Sequence, residues 1–235
     1  MKSVSCQVQS ISSLTSHVYK VLLKPSESVS FEAGQYLNFV MSDEDKRPFS
    51  IASSPNSELI ELQIGAFVAD SYPMQVIDRI KQCQQENTQV TVEVGLGGAQ
   101  LRHNNERPLL LLAGGTGFSY IKSMFEYLVE TKDTREVIVY WGLREESACY
   151  ELEETAVTIS KLNNGRFIPV VENANDDWQG KTGLVHQVAM QDIDDLSAYD
   201  IYLAGRFEMV GAIRADFTEK GALVEHMFAD AFAYI

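Results

Sequence analysis

At 235 residues, 45% of them hydrophobic, the chain is long enough for two compact domains and too apolar for disorder. Its 33 acidic and 19 basic residues give a formal net charge of -14, which excludes nucleic acid and anionic membranes as partners by simple repulsion. The apolar stretches are only strand-sized and the start, Met1 to Cys6, has no apolar signal-peptide core, so the expected location is cytoplasmic.

Up to about Val94 the pattern has period two. Val4, Cys6 and Val8 alternate with polar neighbours, as do Ile60, Leu62 and Ile64, and then Val90, Val92 and Val94. Short alternating strands around turns such as Lys24-Pro25-Ser26 and Ser54-Pro55-Asn56-Ser57 predict an antiparallel barrel or sandwich, with one helix inserted near Pro73 to Lys81. Gly95 to Ala99, followed by the polar run Arg102 to Glu106, marks a domain junction. Beyond Arg107 continuously apolar strands (Leu109 to Ala113, Val137 to Trp141, Phe167 to Val171, Ile201 to Ala204) alternate with helical segments. That pattern predicts a parallel sheet covered on both faces, with ligands at the carboxyl ends of its strands. The end of the chain, Phe228 to Ile235, again has period two and reads as a terminal strand.

Gly114-Gly115-Thr116-Gly117-Phe118 follows the first of these apolar strands and opens a helix. Glycines there let the backbone approach an anion, and the helix start aims free N–H groups and a positive dipole end at it. Tyr120 stands where the full dinucleotide fingerprint has its last glycine. Arg144, at the end of the next strand, suits either a 2′-phosphate or stacking on adenosine, which leaves NADH and NADPH both open. The Gly205-Arg206 turn falls at the same sheet edge. Upstream, Arg47-Pro48-Phe49-Ser50-Ile51 places a charge, a rigid ring, an aromatic and a hydroxyl at a strand start, a set suited to a flat heteroaromatic ligand carrying a phosphate or ribityl chain. The tail has two readings: Phe228, Phe232 and Tyr234 anchor the terminus in the core, or Asp230 stands beside the reacting rings, where its negative charge would help hold the positive charge that grows on nicotinamide as hydride leaves. Cys6, Cys83 and Cys149, like His17, His103, His186 and His226, lack disulfide, iron–sulfur or metal-ligand spacing, so no metal is expected.

In this order the motifs resemble the ferredoxin-reductase superfamily over nearly the whole chain. Arg47-Pro48-Phe49-Ser50 matches its flavin motif and Gly114 to Gly117 its nicotinamide-nucleotide motif. Together with Ile201 to Met209 and Asp230 to Ala233, they look most like the bacterial NAD(P)H:flavin oxidoreductases. The resemblance implies a flavin-binding β-barrel over residues 1–101 and an NAD(P)H-binding α/β domain over residues 107–235. It also implies an enzyme that passes hydride from NADH or NADPH to weakly held FMN, FAD or riboflavin, with Ser50 bonded to flavin N5, Arg47 and Tyr36 holding the flavin, and Asp230 assisting the nicotinamide. Reduced flavin would then reach oxygen, ferric complexes, or a flavin-dependent monooxygenase or luciferase. The segment Gly65-Ala66-Phe67-Val68 lacks the second phosphate motif of members that hold FAD tightly, which favours flavin as a substrate. A reductase subunit that keeps its flavin and passes electrons to a partner protein, and a non-catalytic nucleotide sensor, are the alternatives.

Overall fold

The computed structural model describes residues 2–235. Strands β1 (Lys2–Ser13), β2 (Val18–Pro25), β3 (Tyr36–Val40), β4 (Lys46–Ser50), β5 (Ile60–Gly65) and β6 (Gln89–Leu96) form a six-stranded sheet in the order β4-β3-β6-β1-β2-β5. The pairs β1–β2, β1–β6, β2–β5, β3–β4 and β3–β6 are all antiparallel. Ala52 N–H, just beyond β4, donates to Glu61 O of β5 at 2.8 Å and draws the two sheet edges together into a barrel. Val21, Leu23, Leu37, Phe39, Leu62 and Val92 fill the interior. Helix α1 (Tyr72–Glu86) starts with Pro73 in its first turn, where no amide partner is lost, and ends at Asn87 in the left-handed region at φ 51°. It runs a turn further than the sequence pattern suggests, because Val76, Ile77, Ile80 and Cys83 cover the barrel.

A second six-stranded sheet has the order β10-β9-β8-β7-β11-β12: β7 (Leu109–Gly114), β8 (Val137–Glu145), β9 (Gly165–Asn173), β10 (Lys181–Thr182), β11 (Asp200–Ala204) and β12 (Met227–Phe228). Every pairing in it is parallel. Helices α2 (Phe118–Glu130) and α3 (Leu152–Ile159) lie on the face that carries Leu109, Leu111 and Ala113; α4 (Val185–Asp192) and α5 (Phe207–Glu219) cover Leu110 and Leu112 on the other. Burial on both faces explains why these strands read as unbroken apolar runs.

One expectation needs correction. The tail is not a strand to its end: β12 stops at Phe228, and Asp230–Ala233 form a short 3-10 turn. The chain leaves the sheet edge there because the Asp230 carboxylate is bound to the barrel. The alternating polar residues of β5 face the second domain. Glu61 and Gln63 are buried against the second domain, where Lys122 Nζ of α2 stands 3.3 Å from Glu61 Oε2 and Lys20 Nζ of β2 stands 3.5 Å away. Gln63 Nε2 donates to Glu151 at 2.9 Å, and Tyr150 Oη donates to Gln63 Oε1 at 3.2 Å. This polar seam fixes the two domains against each other.

Replacing Lys122 by Met takes the nearer cation from buried Glu61, leaving it the more distant Lys20 and the Gln63 amide, and removes the ion pair of Glu126. The expected loss is about 3 kcal/mol, at the low end for breaking a buried ion pair, read as a lower urea midpoint. The double variant Lys122→Met/Glu61→Leu recovers part of that loss, because Glu126 still lacks its ion pair with Lys122.

Candidate functional site

The glycine turn stands at the carboxyl end of β7, the edge at which a parallel α/β sheet takes its ligands. Gly115 adopts φ +53°, and a Cβ built there meets nothing within 4 Å, so the left-handed backbone borders open space. Gly117 runs so close to β11 that a Cβ would stand 2.8 Å from the Ala204 backbone. The turn is fixed from below: Trp141 Nε1 in the middle of β8 donates to Gly115 O at 2.9 Å, and Phe118 is fully buried on the Trp141 ring at 4.1 Å between centroids. An anion cradle whose open side a single methyl group would fill is a fitting seat for a pyrophosphate, with α2 adding the positive end of its dipole. Arg144 and Arg206, both exposed at this sheet edge, are available to the rest of a nucleotide. Gly205 immediately precedes Arg206, the N-cap residue of α5.

Across from the turn lies the barrel. Tyr36 pairs with Ser50 in the β3–β4 register and with Leu96 in the β3–β6 register, which sets the phenol, the hydroxyl and the Gly97-Gly98 loop side by side. Pro48 and Phe49 flank Ser50 along the same cavity wall. The neighbours named with them lie elsewhere. Ile51 is fully buried in the barrel core. The Arg47 guanidinium is buried and engaged: Nε and Nη2 donate to the two Asp45 oxygens at 2.8 and 2.6 Å, Nη1 donates to Tyr72 O at 2.8 Å, and Nη2 also donates to Gln75 at 2.8 Å. The bonds from Arg47 hold the Asp45 carboxyl below its ordinary range.

The tail closes the gap between the domains. Asp230 Oδ1 accepts the Gly98 N–H at 3.1 Å and the Ala99 N–H at 3.4 Å, so a residue of the α/β domain is hydrogen-bonded to the barrel loop. Gly97 sits at φ +97° and a Cβ there would stand 2.9 Å from the Asp230 carboxylate, a position open to glycine alone. Tyr120, the residue that replaces the last fingerprint glycine, has a purpose here: its buried hydroxyl donates to Ala99 O at 2.5 Å and ties the same loop to α2. Burial raises the Asp230 carboxyl above its ordinary range, against the opposing pull of the two amides.

Together these groups enclose a cavity of about 540 Å³. Tyr36, Phe49 and Ser50 line it from the barrel; Phe207, Asp230 and Tyr234 line it from the α/β domain, and Gly97 and Gly98 complete it. The glycine turn adjoins the barrel, since a Cβ on Gly65 at the end of β5 would stand 3.0 Å from the Thr116 side chain. The sequence pattern does not mark Gly97, Gly98, Phe207 or Trp141 as site residues, and it reads Tyr234 as a core anchor of the terminus. Gly97-Gly98 between a strand and a polar run was the one visible signal. Tyr234 is 73% exposed and packs on Phe207 at 5.6 Å, whereas Phe228 stacks on Tyr202 and Phe232 lies against the Arg214 guanidinium. A larger cavity, about 670 Å³, runs along β9 between Phe167, Trp178 and Lys181 and contains none of the residues singled out from sequence. Among the described residues no group of three or more His, Cys, Asp or Glu is placed to hold a metal, and no helix is long and apolar enough to cross a membrane.

Residues 111–215 match the family model of the oxidoreductase NAD-binding domain. Over 99% of its length the chain is 44% identical to an NAD(P)H-flavin reductase of Vibrio harveyi, covering 100% of that protein. An NAD(P)H-flavin reductase of Aliivibrio fischeri is 42% identical, with 99% of each chain covered. The chain belongs to the NAD(P)H-dependent flavin reductase family. The fold of this family member is shared with the ferredoxin reductase in carbazole 1,9a-dioxygenase, at a TM-score of 0.84 and 23% identity over 98% of this chain and 69% of that one. The cytochrome b5 reductase domain of Ulva prolifera nitrate reductase shares it too, at a TM-score of 0.78 and 12% identity with 95% of each covered. Its donor is therefore NAD(P)H and its acceptor a flavin.

For the nucleotide seat, Gly115→Ala adds a methyl to the open side of the cradle at a cost of about 1 kcal/mol in left-handed backbone strain. The fold survives, while KM for NADH rises on the order of 10-fold or more in steady-state assays.

Proposed function

We propose that this chain binds NAD(P)H along the carboxyl edge of its parallel sheet and a flavin on the barrel face of the cleft, and releases the reduced flavin as a diffusible product. In this reading residues 1–101 serve the flavin and residues 107–235 the nicotinamide nucleotide. The observation that carries it is the cavity to which Ser50 and Tyr36 come from one domain and Asp230 from the other. When both ligands are bound, the dihydronicotinamide supplies a hydride and the flavin accepts it.

The side chains around them position, polarise and exclude water. Ser50 Oγ, on the cavity wall, offers an oriented hydrogen bond to a flavin ring nitrogen. Tyr36 and Phe49 supply flat apolar surface beside it. Asp230, ionised and held by two amides, favours the form of the nicotinamide that carries positive charge. Gly114, Gly115, Thr116, Gly117 and the start of α2 receive the pyrophosphate, and Arg144 and Arg206 the adenosine end. Arg47 acts on the flavin mainly by fixing β4 to α1, since its donors go to Asp45, Tyr72 and Gln75. A barrel cation already neutralised by its own neighbour supports weak retention of a phosphate-bearing flavin. We place the enzyme in the cytoplasm, with oxygen, ferric complexes, or a flavin-dependent monooxygenase or luciferase as consumers of its product.

Purified protein that is colourless after gel filtration and oxidises NADH or NADPH with added riboflavin, FMN or FAD supports this reading. Protein that stays yellow and reduces only a bound flavin supports a subunit that hands electrons to a partner, and absence of oxidation with every flavin supports a sensor.

Ser50→Ala lowers kcat on the order of 10- to 1000-fold with little change in KM for NAD(P)H, as loss of one oriented hydrogen bond at the reacting centre requires. Unchanged turnover removes Ser50 from the mechanism. For Asp230 the ionised form is the active one and burial raises its pKa, so kcat falls on the acid side with a midpoint above that of an ordinary aspartate. Asp230→Asn lowers kcat and abolishes that acid limb in a pH series.

A further inference from the structure

Arg102 belongs to the polar junction beyond the barrel, a stretch that reads as a mere linker. The geometry points to Arg102 as the positioning residue that holds and polarises the peptide unit to which Asp230 is bonded. This inference rests on the assignment of Asp230 to the nicotinamide side of the reaction.

Both backbone groups of Arg102 are fastened to the α/β domain. Its N–H donates to Tyr202 Oη of β11 at 2.8 Å, and its carbonyl accepts Arg135 Nη1 at 3.0 Å. The side chain turns back toward the barrel loop, where Nη2 donates to Gly98 O at 3.0 Å. The carbonyl of Gly98 and the N–H of Ala99 are the two ends of one peptide unit, and that N–H, like the N–H of Gly98, donates to Asp230 Oδ1. A chain of hydrogen bonds thus runs from a permanent cation through one amide to the carboxylate. Each bond in such a chain polarises the next, so the guanidinium strengthens the amide donor that keeps Asp230 ionised. The same guanidinium lies 5.2 Å from the centroid of the Phe228 ring, two residues before Asp230 in the tail, and Phe228 is itself stacked on Tyr202 at 5.0 Å. One side chain therefore grips both partners of the contact: the loop that donates and the segment that accepts.

The other groups that face Asp230 are Tyr36 from β3, Tyr120 from α2 and Tyr234 from the tail. All are phenols, so Arg102 is the cation tied to this carboxylate, through the Gly98–Ala99 peptide unit.

The test uses the whole chain with NADH and riboflavin and compares Arg102→Ala, Arg102→Lys, Asp230→Asn and the double variant Arg102→Ala/Asp230→Asn. Arg102→Ala is expected to lower kcat on the order of 10-fold with KM for NADH little changed, and to move the acid limb of kcat upward by about one pH unit as the carboxylate loses support. Arg102→Lys, which keeps a charged donor, recovers part of both. The double variant turns over like Asp230→Asn alone, because the arginine acts only through that carboxylate. An equal fall in both backgrounds with an unmoved acid limb overturns the inference and leaves Asp230 in place. Unchanged turnover in Asp230→Asn overturns the assignment beneath it instead. If Arg102→Ala does not fold, Arg102→Gln carries the same comparisons.

Discussion

The site depends on the burial of the polar face of β5 against α2. Glu61 and Gln63 enter the interface between the domains, and Lys122, Lys20 and Tyr150 meet them there. Charges taken out of water are costly unless well paired, so this seam specifies one arrangement of the domains more than it adds stability. Ser54 Oγ donating to Glu130 and Ser123 Oγ donating to Ser53 O extend it along α2. With the domains fixed in this way, the barrel wall carrying Ser50 and the sheet edge carrying the glycine turn are held as two sides of one cleft. Positioning of this kind supplies a large part of the acceleration when two bound reactants must meet.

The tail adds a second, finer constraint. Departure of the chain from the sheet after Phe228 carries Asp230 across the domain boundary to the amides of Gly98 and Ala99. The carboxylate is thus both a cross-link between domains and a charge beside the cavity. Its opposing influences, burial against it and amide bonds for it, are those expected of a group kept ionised in a partly dry site.

Much of this was legible in sequence wherever the information is local. The glycine turn after an apolar strand, the unbroken hydrophobic strands of the parallel sheet and the Arg47-Pro48-Phe49-Ser50 run all declare themselves within a few residues. Contacts made across the fold did not. Period-two alternation tells which residues of β5 share a face, and it cannot tell water from a second domain, so the contacts of Glu61 with Lys122 and of Gln63 with Tyr150 are not legible in it. Alternating aromatics likewise make Phe228 to Ile235 look like a strand, when the chain leaves the sheet after Phe228 and the Asp230 carboxylate accepts two amides of a distant loop. Arg47 looked free for a phosphate because its partner, Asp45, lies two residues upstream in a turn, and only the folded hairpin brings both oxygens to the guanidinium. Tyr120 read as a defect in a motif, and in the fold it ties α2 to the loop that binds Asp230.

A crystal structure of the chain with NAD+ and riboflavin together is the most direct test of the central claim. The account predicts both rings in the one cleft, stacked on each other between Ser50 and Asp230, with the pyrophosphate against Gly115. Rings lodged in separate places, out of contact with each other or with those two side chains, would contradict it.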